Sequence, residues 1–182
     1  MTWKAFHSRG ETLRSVIATS AVRRDGLLPM DVDGVSTGFR DELDLLGALT
    51  LKWHTRLSGQ IDRMLSHQPM DLEEAVAIAW SNTAHELAGV RLIIDHYSAK
   101  PSDDAMATAM AAAKFKEQQL LAVNAGRTSI ADETARRVGS EIEERARLLH
   151  RGIPMITADA HYAEPEEVRG TLMARLRAVV AA

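Results

Sequence analysis

Leu43, Leu46, Thr50, Trp53, Leu57, Ile61 and Met64 follow one another at steps of three and four residues. A strand would scatter these side chains over both of its faces; a helix gathers them into one stripe. The spacing predicts a helix from about Thr37 to Ser66, and a stripe of that length is stable in water only when other helices cover it. Gly47, Ala48 and Gly59 within it are small enough to admit a close neighbour.

Three more segments carry helical signals. Asp71 followed by Glu74 forms a capping box, and Met70 ahead of the cap can staple onto Ala75. Leu72, Val76, Ala79, Thr83, Leu87, Val90 and Ile94 then make one face, which ends before Pro101. Ser102 is placed to cap a third helix over Ala105 to Asn124, with Asp103 and Asp104 favourable to its dipole and Gly126 as its stop. The fourth opens at Thr128 or Ser129, carries Ala131, Ala135, Val138, Ile142, Ala146 and Leu149, and ends at Gly152. Pro165 opens a last helix over 165–180, with Val168, Leu172, Leu176 and Val179 on one side.

The expected architecture is therefore all-α. It is an up-down bundle of four central helices (37–150), with a C-terminal helix (165–180) and a partly irregular N-terminal arm (1–36), in a single domain over 1–182. Within the arm, Ser8 to Gly26 reads as a helix bearing Leu13, Val16, Ile17 and Ser20, and Leu27 to Gly34 as an extended strap across the bundle. Aromatics are only 4% of the chain, so aliphatic side chains and alanines must fill the core, which suits helix-on-helix packing.

Charge and motifs narrow the function by exclusion. The net charge of −3 comes without a block of one sign, so no phosphate-neutralising footprint for nucleic acid is expected. The chain has no cysteine, which removes disulfides, thiolate metal sites and a cysteine nucleophile. No stretch approaches ~18 unbroken apolar residues and no leader is evident, so the expectation is a cytoplasmic protein with no membrane partner. Nucleophile elbows, phosphate loops and dinucleotide fingerprints are absent. Asp31-Val32-Asp33-Gly34 with Glu42 fails the calcium-loop spacing at Val35 and Ser36, and reads as a turn at Asp33-Gly34.

What remains is a set of polar residues at core positions. Glu117 falls in the face made by Met106, Met110, Ala113, Leu120 and Leu121, with Asn124 on the same line; Glu86 falls between Thr83 and Val90; His54 lies beside Thr50, Leu57 and Ile61. A buried carboxylate must be paired or ligated. One reading gathers Glu86, Glu117 and His54, with Arg145 as counter-charge, into a metal or small-ligand site inside the bundle. The Glu-x-x-His step of carboxylate-bridged di-iron bundles is missing, since His54, His85 and His96 follow Leu51, Asn82 and Ile93 at that spacing. The other reading makes the same residues a polar layer that fixes register. His85 and His96 fall on the outer side of their helix, and Trp3, Trp53 and Trp80 are too far apart in sequence to form an evident cage. Trp80 sits at the flank of its face, where the arm or a second subunit can cover it. With no catalytic motif, the expectation is a non-enzymatic bundle acting by protein–protein contact, as an adaptor or homo-oligomer. The alternative is a bundle that binds a metal or small ligand, its cofactor unspecified.

Overall fold

The computed structural model describes residues 3–129, 133–152 and 154–162. The C-terminal helix expected over 165–180 lies outside the described residues. Those described form helices joined by turns: α1 (Trp3–Arg23), the single turn α2 (Val35–Gly38), α3 (Glu42–Leu65), α4 (Leu72–Glu86), α5 (Ala88–Ala99), α6 (Asp104–Asn124), α7 (Glu133–Gly152) and the single turn α8 (Ala158–His161). The fold is all-α, and the packing of its long helices is broadly that of an up-down bundle. No described helix is long and apolar enough to cross a membrane.

The stripe on α3 behaves as its spacing demands. Leu46, Trp53, Leu57, Ile61 and Met64 are all buried against α4, α5 and α6. The hydroxyls of Thr50 and Thr83 enter the core by donating to the carbonyls of Leu46 and Ala79, both at 2.8 Å, one turn back. Asp71 caps α4 by accepting from the Glu74 N–H at 2.9 Å. Met70 stands fully in solvent, so the hydrophobic staple onto Ala75 does not form. On α6 the cap is Asp103, which accepts from the Met106 N–H at 2.7 Å, rather than Ser102. Ser102 turns instead to the Met106 sulfur.

Two expectations about continuity are corrected. The long second helix is broken at Leu87 (φ −119°, ψ 39°) into α4 and α5. The break falls between Glu86, drawn outward by Arg56 and Gln60, and Gly89, whose missing side chain admits the backbone of α1 at Ser20 and Ala21. The strap from Leu27 to Gly34 is a chain of tight turns rather than an extended segment. Met30, Val32 and Val35 donate in sequence to Leu28, Pro29 and Val32, and Gly34 takes the left-handed conformation (φ 87°) that the Asp33-Gly34 turn requires. α1 itself is longer than read from sequence. It is held down by Arg9, which donates to both Asp44 oxygens (2.9 and 3.1 Å) and to the Gly38 carbonyl.

Close helix contacts also sit elsewhere than expected. Nothing lies near a Cβ built on Gly47 or Gly59, whereas one on Gly139 of α7 would strike the backbone of α6 at Gln118. Gly139 is thus the point where α6 and α7 touch. Beyond α7, the buried Asn82 on α4 pins the returning chain, donating to the Ile156 carbonyl at 2.6 Å and accepting its N–H at 3.0 Å.

The contrast between glycines gives a prediction. Gly139→Ala forces α6 and α7 apart and lowers unfolding stability by about 1–3 kcal/mol. Gly47→Ala, on an open helix face, raises it by up to about 1 kcal/mol. Urea denaturation of the two variants reads the difference, and equal effects would contradict the packing described.

Candidate functional site

The only carboxylate on the apolar face of α6 is the centre of the molecule's polar chemistry. Glu117 is 4% exposed and surrounded by donors from three other helices. Trp53 Nε1 on α3 donates to Oε2 at 3.0 Å, and Trp80 Nε1 on α4 donates to Oε1 at 2.7 Å. Arg91 Nη1 on α5 lies 3.3 Å from both oxygens. His54 Nε2 faces Oε2 at 3.6 Å. The two indoles that supply N–H groups meet edge to face, 5.5 Å between centroids, with the Arg91 guanidinium 4.7 Å over the Trp53 ring. Sequence distance had hidden that pairing.

Charges alternate outward from Glu117. Arg91 continues to Asp95 at 2.7 Å, Asp95 takes two hydrogen bonds from Arg147 (2.7 and 2.9 Å), and Arg147 reaches Glu143 at 2.8 Å. Burial by itself would push the Glu117 carboxyl up. The charge of Arg91, then the His54 ring and the Trp80 N–H, outweigh it and hold the group down to about 2. Burial also opposes ionisation of Asp95, and the two guanidiniums overcome it. Arg147 is pushed higher still by Asp95.

Of the four residues singled out from sequence, the structure joins two. His54 and Glu117 meet. Glu86 does not join them: it lies at the end of α4, bound by Arg56 and by Gln60 at 2.6 Å, on the far side of the break at Leu87. Arg145 does not reach Glu117 or Glu86. It sits on the outer side of α7, 3.6 Å from Glu73. Trp80, expected at a flank, is 1% exposed, between Trp53 and the Arg147 guanidinium 5.0 Å from its ring. Among the described residues no three His, Asp or Glu side chains come together in a set able to hold a metal ion. A cation at Glu117 would have to displace Arg91.

Two concavities flank this layer. One, of about 30 Å³, is lined by Thr50, His54, Arg91, Glu117, Glu143 and Arg147 and has room for a single water. The other is a cleft of about 320 Å³ between α4, α5 and α7, with Trp80 and Ala84 in its wall, Leu92 on its apolar side, His150 and Arg147 opposite, and Arg24 and Arg151 also lining it. The His150 ring lies 4.2 Å from that of His85, so His85 is half-buried rather than outside, and the buried Nδ1 of His150 has no hydrogen-bond partner. Burial and then the nearby His85, Arg147 and Arg24 hold His150 below its ordinary value, while a hydrogen bond to the Ser81 backbone opposes them. A larger open groove of about 940 Å³ runs between α6 and α7; Arg136 pairs there with Glu133 and Arg137 with Glu141, and Lys114 and Glu144 also line it.

Comparison with protein-family models, curated protein sequences and solved structures yields no match to this chain. The residues themselves must therefore carry the functional reading.

The ionised Glu117 makes two predictions. Glu117→Gln keeps the shape but leaves Arg91 short of a counter-charge, and lowers stability by about 3 kcal/mol in chemical denaturation. Because the folded-state value lies below the unfolded one of 4.5, this group's contribution is complete above that pH and is lost as pH falls toward about 2. The acid-induced loss of stability in that window shrinks in Glu117→Gln; an unchanged acid profile would contradict the assignment.

Proposed function

We propose that this chain is a small-ligand-binding helical bundle, and that its site is the cleft between α4, α5 and α7 beside the charged layer. The observation that carries the reading is the cleft itself, about 320 Å³, with the Trp80 ring and the half-buried His150 in its wall. A volume of about 320 Å³ is enough for a compact organic molecule. The wall combines apolar surface from Ala84 and Leu92 with a few fixed polar groups, the mixture that small-molecule sites use. The charged layer behind it holds Arg147 and Trp80 in place, so the cleft is formed before a ligand arrives.

A fragment screen by NMR tests the proposal. Binders shift the His150 imidazole and Trp80 indole signals together, and Leu92→Trp, which fills the cleft from an exposed helix position, abolishes those shifts while the fold persists. Hits that leave both residues unmoved, or that survive the filled cleft, would remove it.

A second reading, contact with a partner protein or another copy of the chain, draws on large apolar side chains standing in solvent. Leu51 on α3 and Leu148 on α7 are each more than half exposed. Light scattering coupled to size-exclusion chromatography separates the two: a concentration-dependent dimer weakened by Leu148→Ser supports contact, and a monomer at all concentrations with no captured partner counts against it.

A further inference from the structure

We infer that the ligand of this cleft is a small oxyanion, a carboxylate or a phosphate, held by Arg24 and Arg151. The inference rests on the reading of the cleft as a ligand site and adds the chemistry of the occupant.

The balance of charge around the cleft leads to it. Arg91 is matched by Glu117 and Asp95, and Arg147 by Asp95 and Glu143. Two guanidiniums and three carboxylates thus form a nearly closed layer behind the wall. Arg24 and Arg151 stand outside that layer. Both line the cleft, both are exposed, and neither pairs with a carboxylate among the described residues. Asp95 is the sole described carboxylate in the lining, and it is already taken by two arginines. The layer carries one excess carboxylate, so with Arg24 and Arg151 the cleft and the layer behind it hold one net positive charge, and it lies on the two unpaired guanidiniums at the cleft. A cationic ligand is repelled there, and a neutral one leaves both guanidiniums unused.

Placement of Arg24 adds a second argument. It sits directly after α1 in the left-handed region, φ 50°, a conformation uncommon for a residue other than glycine. Its backbone N–H donates to the Ser20 carbonyl and its Nε to the Ala21 carbonyl at 3.3 Å. The side chain is therefore tied at its root, with the terminal nitrogens left for a ligand. Guanidinium groups bind carboxylate and phosphate through paired N–H groups, so two of them near one cleft suit an oxyanion better than a point charge. Arg147 and Arg24 also add, behind burial and His85, to the lowering of the His150 pKa in the wall of the cleft.

Titration of the intact protein with benzoate and with its neutral isostere benzamide tests the inference, followed by calorimetry and by the His150 ring signals. Benzoate binds at least about tenfold more tightly than benzamide, and its affinity falls as salt rises. Arg24→Gln with Arg151→Gln brings the two within about twofold; these are exposed, unpaired side chains, so circular dichroism and denaturation midpoint stay as in the parent. Benzamide binding as tightly as benzoate at the cleft, or a benzoate preference untouched by the double variant, overturns the oxyanion inference and leaves the ligand site standing. If benzoate, benzamide and inorganic phosphate all leave His150 and Trp80 unmoved, the oxyanion inference falls, and a fragment screen without hits removes the ligand site as well. Inorganic phosphate in the same titration identifies the form of the oxyanion. Arginine-dependent phosphate binding assigns a bare anion, and arginine-dependent benzoate binding without it assigns an anion carried on an organic body.

Discussion

An ionised carboxylate at the centre of a helical bundle is tolerated only when donors surround it, and that condition organises this molecule. Glu117 draws its donors from α3, α4 and α5 while standing on α6. Each of those helices must present one side chain at one height: Trp53, Trp80 and Arg91. A slide by one helical turn would strip the carboxylate of a partner at a cost of several kcal/mol. Apolar stripes of Leu, Ile, Val and Ala tolerate such a slide far better, because their contacts are not directional. The polar layer therefore selects one register out of the several that apolar packing would accept.

The same requirement links core to surface. Arg91 brings a positive charge inward to meet Glu117, Asp95 pairs with Arg91, and Arg147 with Asp95, so the ion pairs run from the buried centre to the edge of the cleft. Arg147 is both the last member of that series and a cover for the Trp80 ring. The cleft inherits its rigidity from this chain of partners. Its own additions, the His150 ring and the side chains of Arg24 and Arg151, stand outside that series of ion pairs.

Much of the scaffold was legible in the sequence. The α3 stripe, the Asp71 cap and the inward placement of Glu117 follow from local chemistry that the folded state leaves intact. Glu86 and Trp80 were misplaced for one shared reason. Residues 75–84 of α4 are buried on every side, so their apolar pattern carries no phase, and the break at Leu87 resets the helical phase for α5. Arg91 went unnoticed within Val90-Arg91-Leu92-Ile93-Ile94, although an arginine in so apolar a run, opposite a buried glutamate, is the signal that would have found it. The Gly89 and Gly139 contacts were illegible because a glycine shows its purpose only when the neighbouring backbone is known. The cleft was beyond reach for the same kind of reason: Arg24, Trp80 and His150 come from three separate segments, and no local pattern relates them.

The central claim is that Glu117 and Arg91 sustain each other in the core. A double-mutant cycle with Arg91→Met, Glu117→Leu and the double variant, read by chemical denaturation, tests it directly. Arg91→Met leaves Glu117 without its guanidinium and Glu117→Leu leaves Arg91 with Asp95 alone; each destabilises, while the double variant recovers much of the loss, with a coupling of about 2–3 kcal/mol. Additive effects, with a coupling below about 0.5 kcal/mol, would contradict it.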